Sequence, residues 1–139
     1  MAVLAACADL GDLFLGRRVH EYSNRSGFGR NDRVSNTLID MYVKCGCLDE
    51  ARRVFEAMEG RSVVSWSAMI AGLAAHGEGE KALRLFSEMV RDGVRPNGVT
   101  FIGLLQACSH MGLVEQGREF FAIMAWFRKS SIMVVWLIF

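Results

Sequence analysis

The chain repeats itself, and this self-similarity limits its fold more than any single motif does. Displaced by 31 residues, Asn36 falls on Ser67, Ile39 on Ile70, Gly46 on Gly77, Ala51 on Ala82, Phe55 on Phe86 and Met58 on Met89. Displaced by a further 35, Ile70 falls on Leu105, Gly77 on Gly112 and Met89 on Met124. A backward step of 35 carries Ile39, Gly46, Ala51 and Phe55 to Leu4, Gly11, Gly16 and His20. Fixed periods of this size mark repeat architectures, in which each unit buries its apolar face against its neighbours. Four units fit: 1–31, which begins partway into a motif, 32–62, 63–97 and 98–132. The last is degenerate after about residue 125, and 133–139 is an atypical apolar tail.

Each unit reads as two short helices. In 32–62, Leu38, Ile39, Tyr42 and Val43 recur at helical spacing, Gly46 breaks the pattern, and Leu48, Ala51, Val54, Phe55 and Met58 form a second stripe. Asp49 and Glu50 sit in the first turn of that second helix, where the helix dipole favours them. The column Gly11, Gly46, Gly77, Gly112 marks the turn between helices, and the column Gly16, Ala51, Ala82, Gly117 is small enough for two helices to approach closely. One proline against 14 glycines suits helices punctuated by glycine turns better than a strand-rich fold. The expected fold class is all-α: an α-solenoid of helix-turn-helix repeats.

Charge and motif content narrow the function classes. Sixteen Lys+Arg against 15 Asp+Glu exclude a strongly basic clamp, though not a local basic stripe. Cys45 and Cys47 are separated by one residue, whereas zinc ligands usually stand two to four apart. Cys7 and Cys108 share a core column with Tyr42 and Leu73, so the cysteines read as reduced structural thiols. His20, His76 and His110 fall in different units, and His20 occupies the column of Phe55, Phe86 and Phe121. There is no HExxH, nucleophile elbow or phosphate loop, and Gly77-Glu78-Gly79 is a helix break. No catalytic residue, metal site or cofactor is therefore expected. The start of the chain lacks a basic region ahead of its apolar stretch, and no transit segment is visible. The apolar run 132–139 is too short to span a bilayer, so no membrane partner is expected.

The residues resemble a family at this point. The run LIDMYVKCGCLDEARRVFEAMEGRSVVSWSAMI resembles the short-to-standard junction of plant pentatricopeptide repeat proteins of the PLS subclass, which alternates long, short and standard motifs. VLAACADLGDLFLGRRVH and LLQACSHMGLVEQGREFF resemble its long motif. The steps of 31 and 35 separate the chain from tetratricopeptide arrays, whose repeats keep about 34 residues. The resemblance makes 1–31 a partial long-type repeat, 32–62 a short-type, 63–97 a standard and 98–132 a long-type repeat. It implies a right-handed solenoid that binds single-stranded organellar RNA at about one base per unit. It also implies a mitochondrial or chloroplast location and a specificity role in RNA editing or processing, alongside proteins that act on the RNA. Some relatives carry a zinc deaminase domain marked by H-x-E and C-x-x-C, and neither motif is expected here.

The same resemblance places the base readers at the fifth and last positions of a motif. These are Asn36 with Ser62, implying a pyrimidine with cytosine favoured, and Ser67 with Asn97, implying adenine. The RNA would run 5′ to 3′ along the protein from N- to C-terminus. In the long-type units the equivalent pairs are Met1 with Asn31 and Ile102 with Ile132, whose apolar members cannot read hydrogen-bonding edges. The second position is expected to sandwich the base: Arg33, Val64 and Val99. Each has a plainer reading. Asn36 and Ser67 open predicted helices, where such residues cap, and Asn97 follows Pro96 in a turn. The second-position residues could simply pack.

Arginines recur on the second helices, Arg17, Arg52 and Arg118 in one column and Arg18, Arg53 and Arg84 in another. They read as a solvated outer face partnered by Glu50 and Glu56, ahead of a phosphate-binding stripe. Both ends look cut, and the terminal IMVVWLIF departs from the family pattern. The competing classes are a tetratricopeptide-like protein-interaction scaffold and a non-functional gene fragment.

Overall fold

At Gly11, Gly46, Gly77 and Gly112 the backbone takes φ of 67°, 78°, 78° and 70°, a left-handed conformation that a side chain would strain. The computed structural model describes residues 2–129, and these four turns divide its helices into pairs. They separate α1 (Ala2–Leu10) from α2 (Leu13–Arg25), α3 (Asp32–Lys44) from α4 (Leu48–Ala57), α5 (Val63–Ala75) from α6 (Gly79–Arg91), and α7 (Gly98–Met111) from α8 (Val114–Lys129). In each turn the residue after the glycine donates its N–H to a carbonyl five residues back. Asp12 bonds Cys7 at 2.9 Å, Cys47 bonds Tyr42 at 2.8 Å, Glu78 bonds Leu73 at 2.8 Å and Leu113 bonds Cys108 at 2.9 Å. This Schellman closure satisfies carbonyls that the helix end would otherwise leave unpaired. Among the described residues the structure is all-helical, apart from turns and a short 3-10 turn at Phe28–Arg30 between the first two units.

The first helices α1, α3, α5 and α7 stack on one another, and each second helix lies against its own first helix and, through α6, the first helix of the next unit. The stacking is parallel. Near the N-terminal ends, Asn36 of α3 meets Ser65 of α5, and Ser67 of α5 meets Thr100 of α7. Near the C-terminal ends, a ring nitrogen of His76 bonds the Val43 carbonyl and one of His110 bonds the Ala74 carbonyl, both at 2.9 Å. The N-termini of α3, α5 and α7 therefore come to one edge of the stack. This is the α-solenoid expected from the repeats.

The predicted columns form the core. Cys7, Tyr42, Leu73 and Cys108 are all buried, as are Gly16, Ala51 and Ala82. Phe55 and Phe86 face the first helix of the next unit: Phe55 meets Trp66 edge-on at 4.9 Å, and Phe86 meets Phe101 at 6.3 Å. Arg61 closes the first of these junctions. Its guanidinium lies 4.5 Å from the Phe55 ring centre and 5.6 Å from that of Trp66, while Nε donates to the Phe55 carbonyl at the end of α4.

Two column assignments need correction. Phe121 is exposed, and Phe120 instead packs edge-on against Phe86 at 5.6 Å. The column faces the following first helix, and among the described residues none follows α8. For the same reason Gly117 is only partly buried, and a Cβ there would make ordinary contact with Cys108 at 3.5 Å. No described helix is long and apolar enough to cross a membrane. Met1, Ile132 and the tail 133–139 lie outside the described residues.

Candidate nucleic-acid interface

All seven candidate residues lie at the N-terminal ends of α3, α5 and α7. The last residue of one unit precedes the next first helix, where a short polar side chain can accept the unpaired N–H groups. Asn31 does so for α3, its Oδ1 accepting from the N–H of Arg33 at 2.9 Å and of Val34 at 3.2 Å. Asn97 does so for α7, accepting from the Thr100 N–H at 3.2 Å, while Thr100 Oγ1 accepts from the Asn97 N–H at 3.1 Å. Ser62 holds the same position before α5, but its exposed side chain makes no capping bond.

The capping alternative for Asn36 and Ser67 is thus overturned. Each is the fifth residue of its helix, one turn inside. Both side chains reach the following first helix instead. The Ser65 hydroxyl donates to Asn36 Oδ1 at 2.6 Å, and the hydroxyls of Ser67 and Thr100 lie 2.6 Å apart. Thr100 Oγ1 also donates to Asn97 Oδ1 at 3.2 Å. The structure therefore joins Ser67 and Asn97 through Thr100, and ties Asn36 to the turn that Ser62 opens through Ser65. Ser67 is buried, Asn36 half-buried, and Ser62 and Asn97 exposed. Ser65 and Thr100 are the polar residues that sequence reasoning missed. Their signal was a hydroxyl in the third place of units 63–97 and 98–132, where 32–62 has Val34.

The second-position residues do not pack in the core. Arg33 is exposed, and Val64 and Val99 are each 56% exposed on the same edge, which overturns the packing alternative. Ile102, the fifth residue of its unit, is likewise exposed.

The arginines of the second helices behave differently. Arg17 Nε donates to both carboxylate oxygens of Glu50 at 3.1 Å. That hydrogen bond holds the Glu50 carboxyl below its usual range and pushes the guanidinium up. Arg52 pairs with Glu56 at 2.9 Å and Arg118 with Glu115 at 3.5 Å. This is the solvated, ion-paired face that the column pattern suggested.

The histidines are absorbed structurally. His20 Nδ1 lies 2.7 Å from the Tyr42 hydroxyl. Burial lowers the His20 pKa and, with Glu50 nearby, pushes Tyr42 up to about 12. His76-Gly77-Glu78 does spell H-x-E, yet His76 is spent on the Val43 carbonyl. Among the described residues no cluster of His, Cys, Asp and Glu could hold a metal. All four cysteines are free, and burial raises the thiol pKa of Cys45 and Cys108.

A PPR repeat family model matches residues 61–110, and a PPR repeat model matches residues 33–63; together they take in more than half of the chain. The chain belongs to the pentatricopeptide repeat family. A pentatricopeptide repeat-containing protein of Arabidopsis thaliana is 48% identical over 124 residues, covering 89% of this chain and 23% of the relative. A mitochondrial one is 51% identical over 122 residues, with 88% and 16% covered, and a chloroplastic one 50% identical over 124 residues, with 89% and 25% covered. The chain thus spans about a quarter or less of these curated relatives. Among solved structures, maize PPR10 matches with a TM-score of 0.73 and 28% identity, covering 94% of this pentatricopeptide repeat chain and 19% of PPR10. PPR10 in complex with an 18-nt psaJ RNA element matches with a TM-score of 0.68 and 31% identity, covering 80% and 17%.

Proposed function

We propose that this chain binds single-stranded RNA along the edge formed by the first turns of α3, α5 and α7, reading about one base per unit. The observation that carries the reading is the Ser67, Thr100 and Asn97 chain: hydrogen bonds join the fifth and last positions of one unit, beside the exposed Val64 and Val99. Asn36 with Ser62 reads a pyrimidine, cytosine favoured, and Ser67 with Asn97 reads the adenine 3′ to it. Arg33, Val64 and Val99 flank the bases, a guanidinium plane or an apolar face being able to stack on either side. The unit lengths support the PLS subclass. The mitochondrial and chloroplastic relatives support an organellar location, with a specificity role in RNA editing or processing.

Selection of the 139-residue chain on randomised single-stranded RNA tests this. The expected winners carry a pyrimidine followed by adenine, and Asn36→Thr changes only the first of the two. Recovery of RNA with no base preference sinks the reading and leaves a scaffold as the better description.

A further inference from the structure

We infer that Ser65 and Thr100 are positioning residues that fix which atoms Asn36, Ser67 and Asn97 offer to a base. The inference rests on the base-reading proposal above and deepens it. The hydrogens around Thr100 can be assigned by counting. Its Oγ1 accepts the Asn97 N–H at 3.1 Å and lies 3.2 Å from Asn97 Oδ1, which can only accept. The threonine proton therefore goes to Asn97. The 2.6 Å contact with Ser67 must then be filled by the serine proton. Ser67 is left as an acceptor. Asn97 Oδ1 already takes two hydrogen bonds, from the Thr100 N–H and hydroxyl, so Asn97 is left to present its NH₂ as a donor.

An acceptor beside a donor complements adenine, whose amino group donates and whose N1 accepts. Guanine reverses both, with O6 accepting and N1–H donating, and is refused at both atoms. The same logic holds one unit earlier. The Ser65 hydroxyl, fully buried, donates to Asn36 Oδ1 at 2.6 Å, which leaves the Asn36 NH₂ as the group to donate to a base. A fixed donor suits N3 of cytosine, which accepts, over N3–H of uracil, which donates. Unpaired polar groups in such sites are costly, so discrimination follows from which atoms are left to pair.

The test is fluorescence anisotropy of the full chain at one fixed salt concentration, with 5′-UUCAUU-3′, 5′-UUCGUU-3′ and 5′-UUUAUU-3′ as probes. Wild type should prefer the first over the second by about tenfold, a lost pair of hydrogen bonds being the difference. Thr100→Val should reduce that preference to about twofold or less while leaving the cytosine-over-uracil preference intact, and Thr100→Ser should restore it. Ser65→Ala should erase the cytosine-over-uracil preference and leave adenine over guanine unchanged. A merely structural role would weaken all three RNAs together. Wild type without any preference overturns both the inference and the base-reading proposal. Wild-type preferences that persist in Thr100→Val and Ser65→Ala overturn the inference alone. Should Thr100→Val lose its helical circular dichroism, the Ser65→Ala arm decides by the same criteria.

Discussion

The junction of units 63–97 and 98–132 and that of units 1–31 and 32–62 are each built on two stacked first helices, α5 with α7 and α1 with α3, yet they are held differently. Between α5 and α7 the backbones touch: a Cβ on Gly103 would lie 3.3 Å from Cα and N of Ala71. The buried Ser67 and Thr100 hydroxyls bridge this junction, and Phe86 packs between Phe101 and Phe120. Between α1 and α3 the contacts are looser. A groove of about 800 Å³ opens among Leu4, Val19, Tyr22, Phe28 and Val34, and Tyr22 and Phe28 stand exposed at its rim. Among the described residues no hydroxyl tie joins α1 to α3, and Val34 holds the place of Ser65 and Thr100. The difference teaches that the close approach of the first helices that packs the core also brings the fifth residue of one unit onto the third residue of the next, the contact on which the proposed base reading rests.

The largest contrast should come from the aromatic residues. Trp66 is buried against Phe55 and Arg61. Trp66→Ala should cost about 3–5 kcal/mol in urea unfolding, as large core truncations do. Phe28→Ala, at the rim of the loose junction, should stay within about 0.5 kcal/mol. Equal effects would break the comparison.

Glycine provides a second contrast. Gly103→Val forces α5 and α7 apart and should cost about 1–3 kcal/mol, the range for overpacking. A Cβ at Gly98 meets nothing within 4 Å. Gly98→Ala at the start of the same helix should therefore be neutral or stabilising by about 0.4–1 kcal/mol, through a less flexible unfolded chain. Thermal unfolding of the two variants side by side measures the gap.

The caps sharpen the picture on a smaller scale. Asn97→Ala removes a capping bond and should cost about 1 kcal/mol. Ser62→Ala removes a side chain that caps nothing and should cost a few tenths of a kcal/mol or less, at about the level of an ordinary surface change. Chemical denaturation with a common slope would separate them.

The smallest effect expected is one of pH, and it belongs to the loose junction. Burial lowers the His20 pKa below its ordinary 6.5. As pH falls through 6.5, the unfolded chain takes up a proton that the folded chain does not, so stability declines with acidification. His20→Phe, which matches its column, should remove that decline between pH 7 and 5. The Glu50 carboxyl, held low by Arg17, adds a second loss below its ordinary 4.5, which Glu50→Gln should remove. Melting curves from pH 7 to 5 test the first, and their extension to about pH 3 tests the second.

Much of this was legible because it was local or periodic. The four turn glycines announce a backbone that other residues strain, and Cys7 and Cys108 could be placed in the core by the column they share with Tyr42 and Leu73. The arginine face was legible too, since Arg52 and Glu56 stand one turn apart. What escaped depends on packing between units. The bonds Ser65 to Asn36 and Ser67 to Thr100 join residues 29 and 33 apart, a separation that helix period does not encode. Asn36 and Ser67 were read as helix openers because the apolar stripe starts near them. The helices start a full turn earlier, at Asp32 and Val63. Phe121 falls outside the core because its column packs on a following first helix, and none is among the described residues.

The central claim is that RNA engages the first-helix edge through Asn36 and Asn97, and nuclear magnetic resonance of the 15N-labelled chain titrated with 5′-UUCAUU-3′ tests it most directly. The account predicts that the side-chain NH₂ signals of Asn36 and Asn97 shift together with the backbone signals of Val64 and Val99, while the Nε signals of Arg17 and Arg52 stay in place. Shifts confined to those arginines, with the asparagine signals unmoved, would contradict it and put the RNA on the ion-paired face of the second helices.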